Sequence, residues 1–305
     1  MLNSIAVMAA RRALTTLLFA AMLLLTACAG ASDAKKVSEN AAELEVHFFD
    51  AGKADAILLT TQSGTVLIDA GEKGFGKTIL SYLEEKGVER IDYFIITHFD
   101  QDHVGGAAKV INNITVGTVL QSNRPKDSEE YEKYVKALAN AGVEPVTVRE
   151  VLTFALDGAG IEPVTVRETY AFALDGVSYT VDPPRQSEYS ADSSNNSSLI
   201  VTVRNGENRF LFMGDAQTER LAEFLDGNPA ACDVLKIPHH GKDEPLLGEL
   251  LEATQPSFAV ITSSDEEPES TETVGTLERM GVRVLLTREG AVTLRSDGAN
   301  IAVSK

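Results

Sequence analysis

The sequence predicts a single α/β domain, and three observations carry that prediction. Apolar runs of strand length meander at the start of each half of the chain and later alternate with segments of helical period. Three clusters of acidic residues and histidines each fall directly after such a run. No linker-like break divides residues 44–305.

Residues 45–50 form the first expected strand. Strands 54–60 and 65–69 follow around a Gln62-Ser63-Gly64 turn, which makes a β-meander. Residues 78–86 carry Ile79, Leu80 and Leu83 on one helical face and stop at Gly87. Strand 91–96 comes next, then a short helix over 106–111, strand 116–120 and an amphipathic helix over 127–141 closed by Gly142. In the second half, strand 177–181 ends at Pro183-Pro184 and a Ser- and Asn-rich loop fills 185–198. Strands 199–203 and 209–213 meander through Asn205-Gly206. Helices over 217–225, 246–253 and 271–280 then alternate with strands 232–237, 258–262 and 283–286, and strands 291–295 and 300–303 close the chain.

One stretch breaks the pattern. Residues 143–158 and 161–176 match at 12 of 16 positions with an offset of 18 residues, a tandem duplication. Two units are too few for a solenoid, which buries its core by stacking several. An extra strand or hairpin at a sheet edge, or a bulging loop, is expected.

The first 27 residues read as a leader. Arg11-Arg12 precedes an apolar run over 13–25, and Leu25-Thr26-Ala27-Cys28 has the form of a lipoprotein cleavage site with Cys28 as the lipidated residue. Residues 28–43 read as a flexible tether and 44–305 as the functional domain. The chain is therefore expected outside the cytoplasmic membrane, touching it through the lipid alone. With Cys28 lipidated, Cys232 has no disulfide partner and reads as a small buried residue. Twenty-seven basic residues against 45 acidic ones give −18, which argues against an extensive nucleic-acid surface. The sequence names no protein partner.

The chemistry concentrates in Thr97-His98-Phe99-Asp100-Gln101-Asp102-His103-Val104-Gly105-Gly106, where two histidines and two carboxylates follow a buried strand. Imidazole suits zinc, iron and manganese, and carboxylate suits harder ions. Gly214-Asp215 and Pro238-His239-His240-Gly241 also sit at strand ends, the edge at which open α/β sheets collect ligands.

These spaced motifs resemble the metallo-β-lactamase superfamily, as do Phe49-Asp50-Ala51-Gly52 and Leu67-Ile68-Asp69-Ala70-Gly71. Within it they are similar to the ComEC-type hydrolase domain, here in a stand-alone lipoprotein form. That branch carries T-H-x-D-x-D-H-x-G-G, N-N-x-S, G-D and H-H-G in this order. The resemblance implies a four-layer αβ/βα sandwich with a dinuclear site at one edge. It implies His98 and Asp100 at one metal, Asp102 and His103 at the other, and Asp215 between them. His239 or His240 would complete the second position, with His239 favoured for standing nearer the strand end. Asn195 or Asn196 replaces the superfamily's usual middle histidine and would be a weak ligand. Three departures stand out. Gly52-Lys53-Ala54-Asp55 replaces Gly-Gln-Gly-Asp, Lys242 replaces a serine, and Glu267-Pro268 lies where relatives often carry His-Pro.

The expected activity is a metal-dependent hydrolase with two divalent ions, zinc or manganese, with iron also suited to the donor set. Asp102 or Asp215 would orient the water, His240 would act as general acid, and Lys242 would contact an anionic phosphodiester or small-molecule substrate. The alternative is a non-catalytic or weakly metal-binding lipoprotein that keeps the fold as a binding module.

Overall fold

Period-two alternation along the strands builds two sheets that face each other across an apolar core. The computed structural model describes residues 43–149, 151–157, 160–166, 169–186, 188–190 and 194–304. The leader, most of the tether and Cys28 lie outside the described residues.

The strands in chain order are β1 (Leu44–Phe48), β2 (Ile57–Thr60), β3 (Thr65–Ile68), β4 (Arg90–Ile96), β5 (Thr115–Gln121) and β6 (Val146–Thr147). Next come β7 (Val151–Asp157), β8 (Gly160–Val166), β9 (Tyr170–Leu174), β10 (Val177–Asp182), β11 (Ile200–Asn205) and β12 (Asn208–Phe212). The last are β13 (Val234–Lys236), β14 (Phe258–Ile261), β15 (Arg283–Leu286), β16 (Val292–Ser296) and β17 (Ile301–Ser304). One sheet has the order β17-β16-β1-β2-β3-β4-β5-β6, and the other β15-β14-β13-β12-β11-β10-β9. The helices are α1 (Gly76–Glu85), α2 (Gln101–Val104), α3 (Ala107–Ile111), α4 (Glu129–Ala141), α5 (Thr218–Asp226), α6 (Leu247–Thr254) and α7 (Thr271–Arg279).

Alternate residues of each strand point to opposite faces. Val46 and Phe48, Leu59, Ile95, Val201, Phe210 and Val234 face inward and form the shared core between the sheets. Leu58, Leu67, Phe94 and Ile96 face outward and pack against Ile79 and Leu83 of α1 and Tyr134 and Leu138 of α4. On the far side Leu211, Leu235 and Ala259 pack against Leu221, Leu250 and Leu277 of α5, α6 and α7. The result is the four-layer αβ/βα sandwich. Helix α4 shows the local rules: the Ser128 hydroxyl accepts from the Tyr131 N–H, three glutamates favour the positive end of the dipole, and Gly142 closes the helix at φ 66°.

His47 lies on the outward face of β1. Its ring stacks on Tyr82 at 4.3 Å and meets Phe49 edge-on at 4.6 Å. Burial, ahead of its charged neighbours, pushes its pKa down to about 4, so it packs as a neutral aromatic. Among the described residues no helix is long and apolar enough to cross a membrane.

The duplicated stretch is divided between four strands. The first half of the first copy supplies β6, the end strand of one sheet, and places Val148 in the core. The second half of the second copy supplies β9, the end strand of the other sheet. There Phe172 stacks on Tyr93 at 3.7 Å and on Tyr179 at 4.6 Å. The remaining halves, β7 and β8, pair antiparallel with each other alone. Deleting residues 151–168 therefore rejoins one whole unit, with Glu150 followed by Thr169. The shortened chain is expected to fold with a melting temperature within about 4 °C of the parent, a shift worth about 1 kcal/mol or less. Calorimetry checks this, and loss of the cooperative transition would show that the hairpin is integral to the fold.

Candidate metal centre

The site gathers where strand ends from both sheets meet. His98 and Asp100 leave β4 in extended backbone, and Asp100 then starts α2, which carries Asp102 and His103 on successive residues. Backbone bonds fix this turn. The Asp55 N–H donates to the Asp102 carbonyl at 3.0 Å, and the Ala70 N–H to the His103 carbonyl at 2.8 Å. Gly106 is required by proximity, since a Cβ there would sit 2.2 Å from the Ala70 carbonyl oxygen. Gly214 is required by conformation and space: its φ is 53°, and an added Cβ would meet Ser198 at 3.0 Å.

Four side chains converge at the centre: Asp102, His103, Asp215 and His240 each present one ligand atom, and all four atoms lie within 4.8 Å of one another. Asp215 stands between the two imidazoles, with Oδ1 3.2 Å from His103 Nε2 and Oδ2 3.1 Å from His240 Nε2. His240 Nε2 is also 3.4 Å from Asp102 Oδ2. The Nε2 atoms of His98, His103 and His240 and Oδ1 of Asp215 are buried and make no hydrogen bond. Buried polar atoms are ordinarily satisfied, so such a convergence fits a cation.

The far sides of the rings are held by acceptors. His103 Nδ1 lies 2.8 Å from Asp69 Oδ2, and His240 Nδ1 lies 2.9 Å from the Thr262 carbonyl oxygen. A carboxylate and a carbonyl can only accept, so both Nδ1 atoms donate and each Nε2 turns inward, as metal-binding histidines require. Asp69 in turn accepts from the Thr97 N–H at 2.8 Å and the Thr97 hydroxyl at 2.6 Å.

The electrostatics are those of a negative pocket around imidazoles. Burial works against a charged His103, but the Asp215 and Asp69 carboxylates outweigh it and raise its proton affinity well above the ordinary value. His240 is raised against burial by Asp215 and Asp102. Burial would raise Asp215, yet His240 and His103 hold it well below the usual carboxylate range. His98, buried beside His103, is lowered. A divalent cation substitutes for protons at such a centre.

Beneath the centre lies Lys236, with none of its side chain exposed. Its ammonium is 2.5 Å from Asp55 Oδ2 and 3.6 Å from Asp215 Oδ1, and donates to the Gly214 carbonyl at 2.9 Å. Asp55 Oδ1 accepts from the Thr262 hydroxyl at 2.6 Å. The sequence motifs contain Asp55 and Asp69 but give them no role, and they do not include Lys236. The signal for Lys236 was available: in Val234-Leu235-Lys236 alternation puts a lysine on the inward, apolar face.

The other expected residues are distributed as follows. His239 turns away, one-fifth exposed, with Nδ1 3.1 Å from Gln217 Nε2 and 3.2 Å from Glu244 Oε1. The preference for His239 over His240 is thus reversed by geometry. Both residues and Gly241 take left-handed backbone, with φ 49°, 53° and 74°. That swings the His240 ring inward and its neighbour out, at a cost of about 1–3 kcal/mol for each non-glycine residue. Because His240 Nε2 faces Asp215 and Asp102, its position suits a ligand better than a proton donor to a leaving group. Asn195 and Asn196 are buried in a 3₁₀ turn (Asn195–Ser197), where Asn196 Oδ1 accepts from the Arg220 N–H at 3.0 Å. Lys242 is outside the cluster, its ammonium 3.5 Å from the Pro268 carbonyl. Lys53 instead reaches the rim, 2.9 Å from Asp102 Oδ2, within the field of Glu267.

The profile described as "Metallo-beta-lactamase superfamily" matches residues 50–262. The chain belongs to this superfamily. Among curated relatives, ComE operon protein 3 of Bacillus subtilis (strain 168) is 27% identical over 277 residues, covering 83% of this chain and 33% of the relative. Recombination protein 2 of Haemophilus influenzae is 23% identical, covering 73% and 25%. Competence protein ComA of Neisseria gonorrhoeae is 27% identical, covering 74% and 28%. The chain thus spans a third or less of each of these ComEC-type relatives. Of solved structures, the metallo-β-lactamase fold protein YhfI from Bacillus subtilis aligns with a TM-score of 0.51 at 9% identity, covering 86% of this chain and all of that one. The CmlA β-hydroxylase E377D mutant also gives 0.51, at 17% identity and 84% and 54% coverage. At such identities the likeness concerns the superfamily's fold.

Two outcomes are expected. His240→Asn should weaken binding of manganese or zinc, measured by isothermal titration calorimetry, by about 10-fold or more, while His239→Asn leaves it unchanged; equal losses would place both at the centre. Lys236→Met strands the Asp55 carboxylate and should cost about 3–5 kcal/mol in urea unfolding. The double variant Lys236→Met/Asp55→Asn should recover part of that loss, and an additive cost would refute the coupling.

Proposed function

We propose that this chain is a metal-dependent hydrolase whose catalytic ion is held by Asp102, His103, Asp215 and His240. The observation that carries the reading is the convergence of bare, buried Nε2 atoms on the Asp215 carboxylate. The donor set, two imidazoles with two carboxylates, suits zinc and also manganese or iron. When bound, such an ion supplies Lewis acidity, lowering the pKa of water and polarising the scissile group. Asp102 or Asp215 would orient the water. Asp69 and Thr262 hold the imidazoles in the ligating tautomer.

A phosphodiester-type substrate is favoured over a β-lactam, because Asp100 and Asn195 or Asn196 stand where lactam-cleaving relatives carry histidines. Lys53 stands half-buried beside Asp102 at the rim, where an ammonium can grip an anionic oxygen. The similarity to proteins named for competence and recombination points the same way. The net charge of −18 favours short or small diesters over long nucleic acid. The leader-like residues 1–27, ending at Cys28, support an activity outside the cytoplasmic membrane on a lipid anchor.

The test is hydrolysis of bis-p-nitrophenyl phosphate by purified protein with added manganese or zinc. Asp102→Ala and Asp215→Ala should each reduce turnover by about 10²-fold or more. Full turnover in either variant refutes the assigned centre. Protein that carries no transition metal and cleaves nothing under these conditions would support the binding-module alternative.

A further inference from the structure

The motif His98-x-Asp100-x-Asp102-His103 offers two positions for ions, and they are not equivalent. At the position of Asp102, His103, Asp215 and His240, two imidazole Nε2 atoms and a carboxylate oxygen are buried without a hydrogen bond. At the position of His98 and Asp100, His98 Nε2 is in that state. The carboxylate there is already engaged. Asp100 Oδ1, the oxygen 4.0 Å from His98 Nε2, lies 2.6 Å from the Lys126 ammonium and also accepts from the Ser194 hydroxyl. Of the two candidate asparagines, Asn196 is engaged elsewhere, since its Oδ1 accepts from the Arg220 N–H.

The two donors to Asp100 come from different parts of the chain. Lys126 lies between β5 and α4, and Ser194 directly precedes the 3₁₀ turn at Asn195–Ser197. A single ammonium salt bridge at a rim is weak. Here a hydroxyl shares the same oxygen, and an ion entering at that oxygen, the one that faces His98, would have to displace both donors.

We propose that Lys126 is a built-in counter-cation that closes the His98/Asp100 position, so that the chain holds one divalent ion tightly and admits a second only by displacing the lysine. This rests on the quartet being a metal site, as proposed above. It departs from two equally held ions. Lys53 plays a lesser part at Asp102 because His103, Asp215 and His240 would still hold an ion at that position.

The test is ion stoichiometry and affinity on the full chain, by isothermal titration calorimetry and elemental analysis with manganese and with zinc. The parent should bind one ion per chain tightly and a second at least about 10-fold more weakly. Lys126→Met should tighten the second event by about 10-fold and leave the first unchanged, whereas Lys126→Arg keeps the second event weak. Asp100→Asn should abolish the second event and spare the first. Two ions of equal affinity in the parent, an unaltered second event in Lys126→Met, or loss of the first event in Asp100→Asn would overturn the proposal. Hydrolysis is read separately. One tight ion without turnover refutes the hydrolase reading and supports this one, and two equal ions with turnover do the reverse.

Discussion

The structure depends on one buried ion pair, Lys236 with Asp55. Lys236 ends β13 in one sheet, and Asp55 precedes β2 in the other. Their contact ties the two sheets at the edge where the strand ends meet. Through it the lysine also holds the Gly214 carbonyl, and so positions Asp215. Asp55 reaches Thr262, whose carbonyl aligns His240, and its own N–H holds the turn carrying Asp102. Desolvating two charges is costly, and partnering each with further hydrogen bonds offsets that cost. A chain that packed its sheets with aliphatic residues here would have a closed sandwich and no organised centre.

Much of the fold was legible because alternation and helical period are strong local signals. Val46 and Phe48 flank His47 with period two, whereas Ile57–Leu59 and Val66–Ile68 are apolar on both faces and show the strand without its orientation. What sequence left open was long-range. The fold's four layers came from family resemblance rather than periodicity, since nothing local says that the faces of β1 and β12 meet. Strand β9 was hidden inside the repeat, where either copy could serve. The short helix α2 was obscured because its residues read as ligands first.

The centre was legible as a set of motifs but not as a geometry. His98, Asp100, Asp102, His103 and Asp215 were found by residue type and strand-end position. The choice between His239 and His240 could not be made by proximity to the strand, because consecutive left-handed residues reverse the expected order of inward and outward. Asp69 stood at the end of an expected strand, and its role became visible only when β3 was placed beside β4 and His103 came within hydrogen-bond reach. Lys53 and Lys126 were still harder to find. Each lies far along the chain from the carboxylate it pairs with, and charge alone makes such lysines look like solvated surface.

The tandem repeat has a consequence at the level of the gene. A direct repeat of 18 residues is in frame, so slippage between copies would add or remove one whole unit. The two strands β7 and β8 lie between β6 and β9 in the chain and belong to neither large sheet, so such a change falls on the hairpin rather than on a strand that carries the centre. A chain that folds without the β7–β8 hairpin can change its length here and keep every residue of the centre.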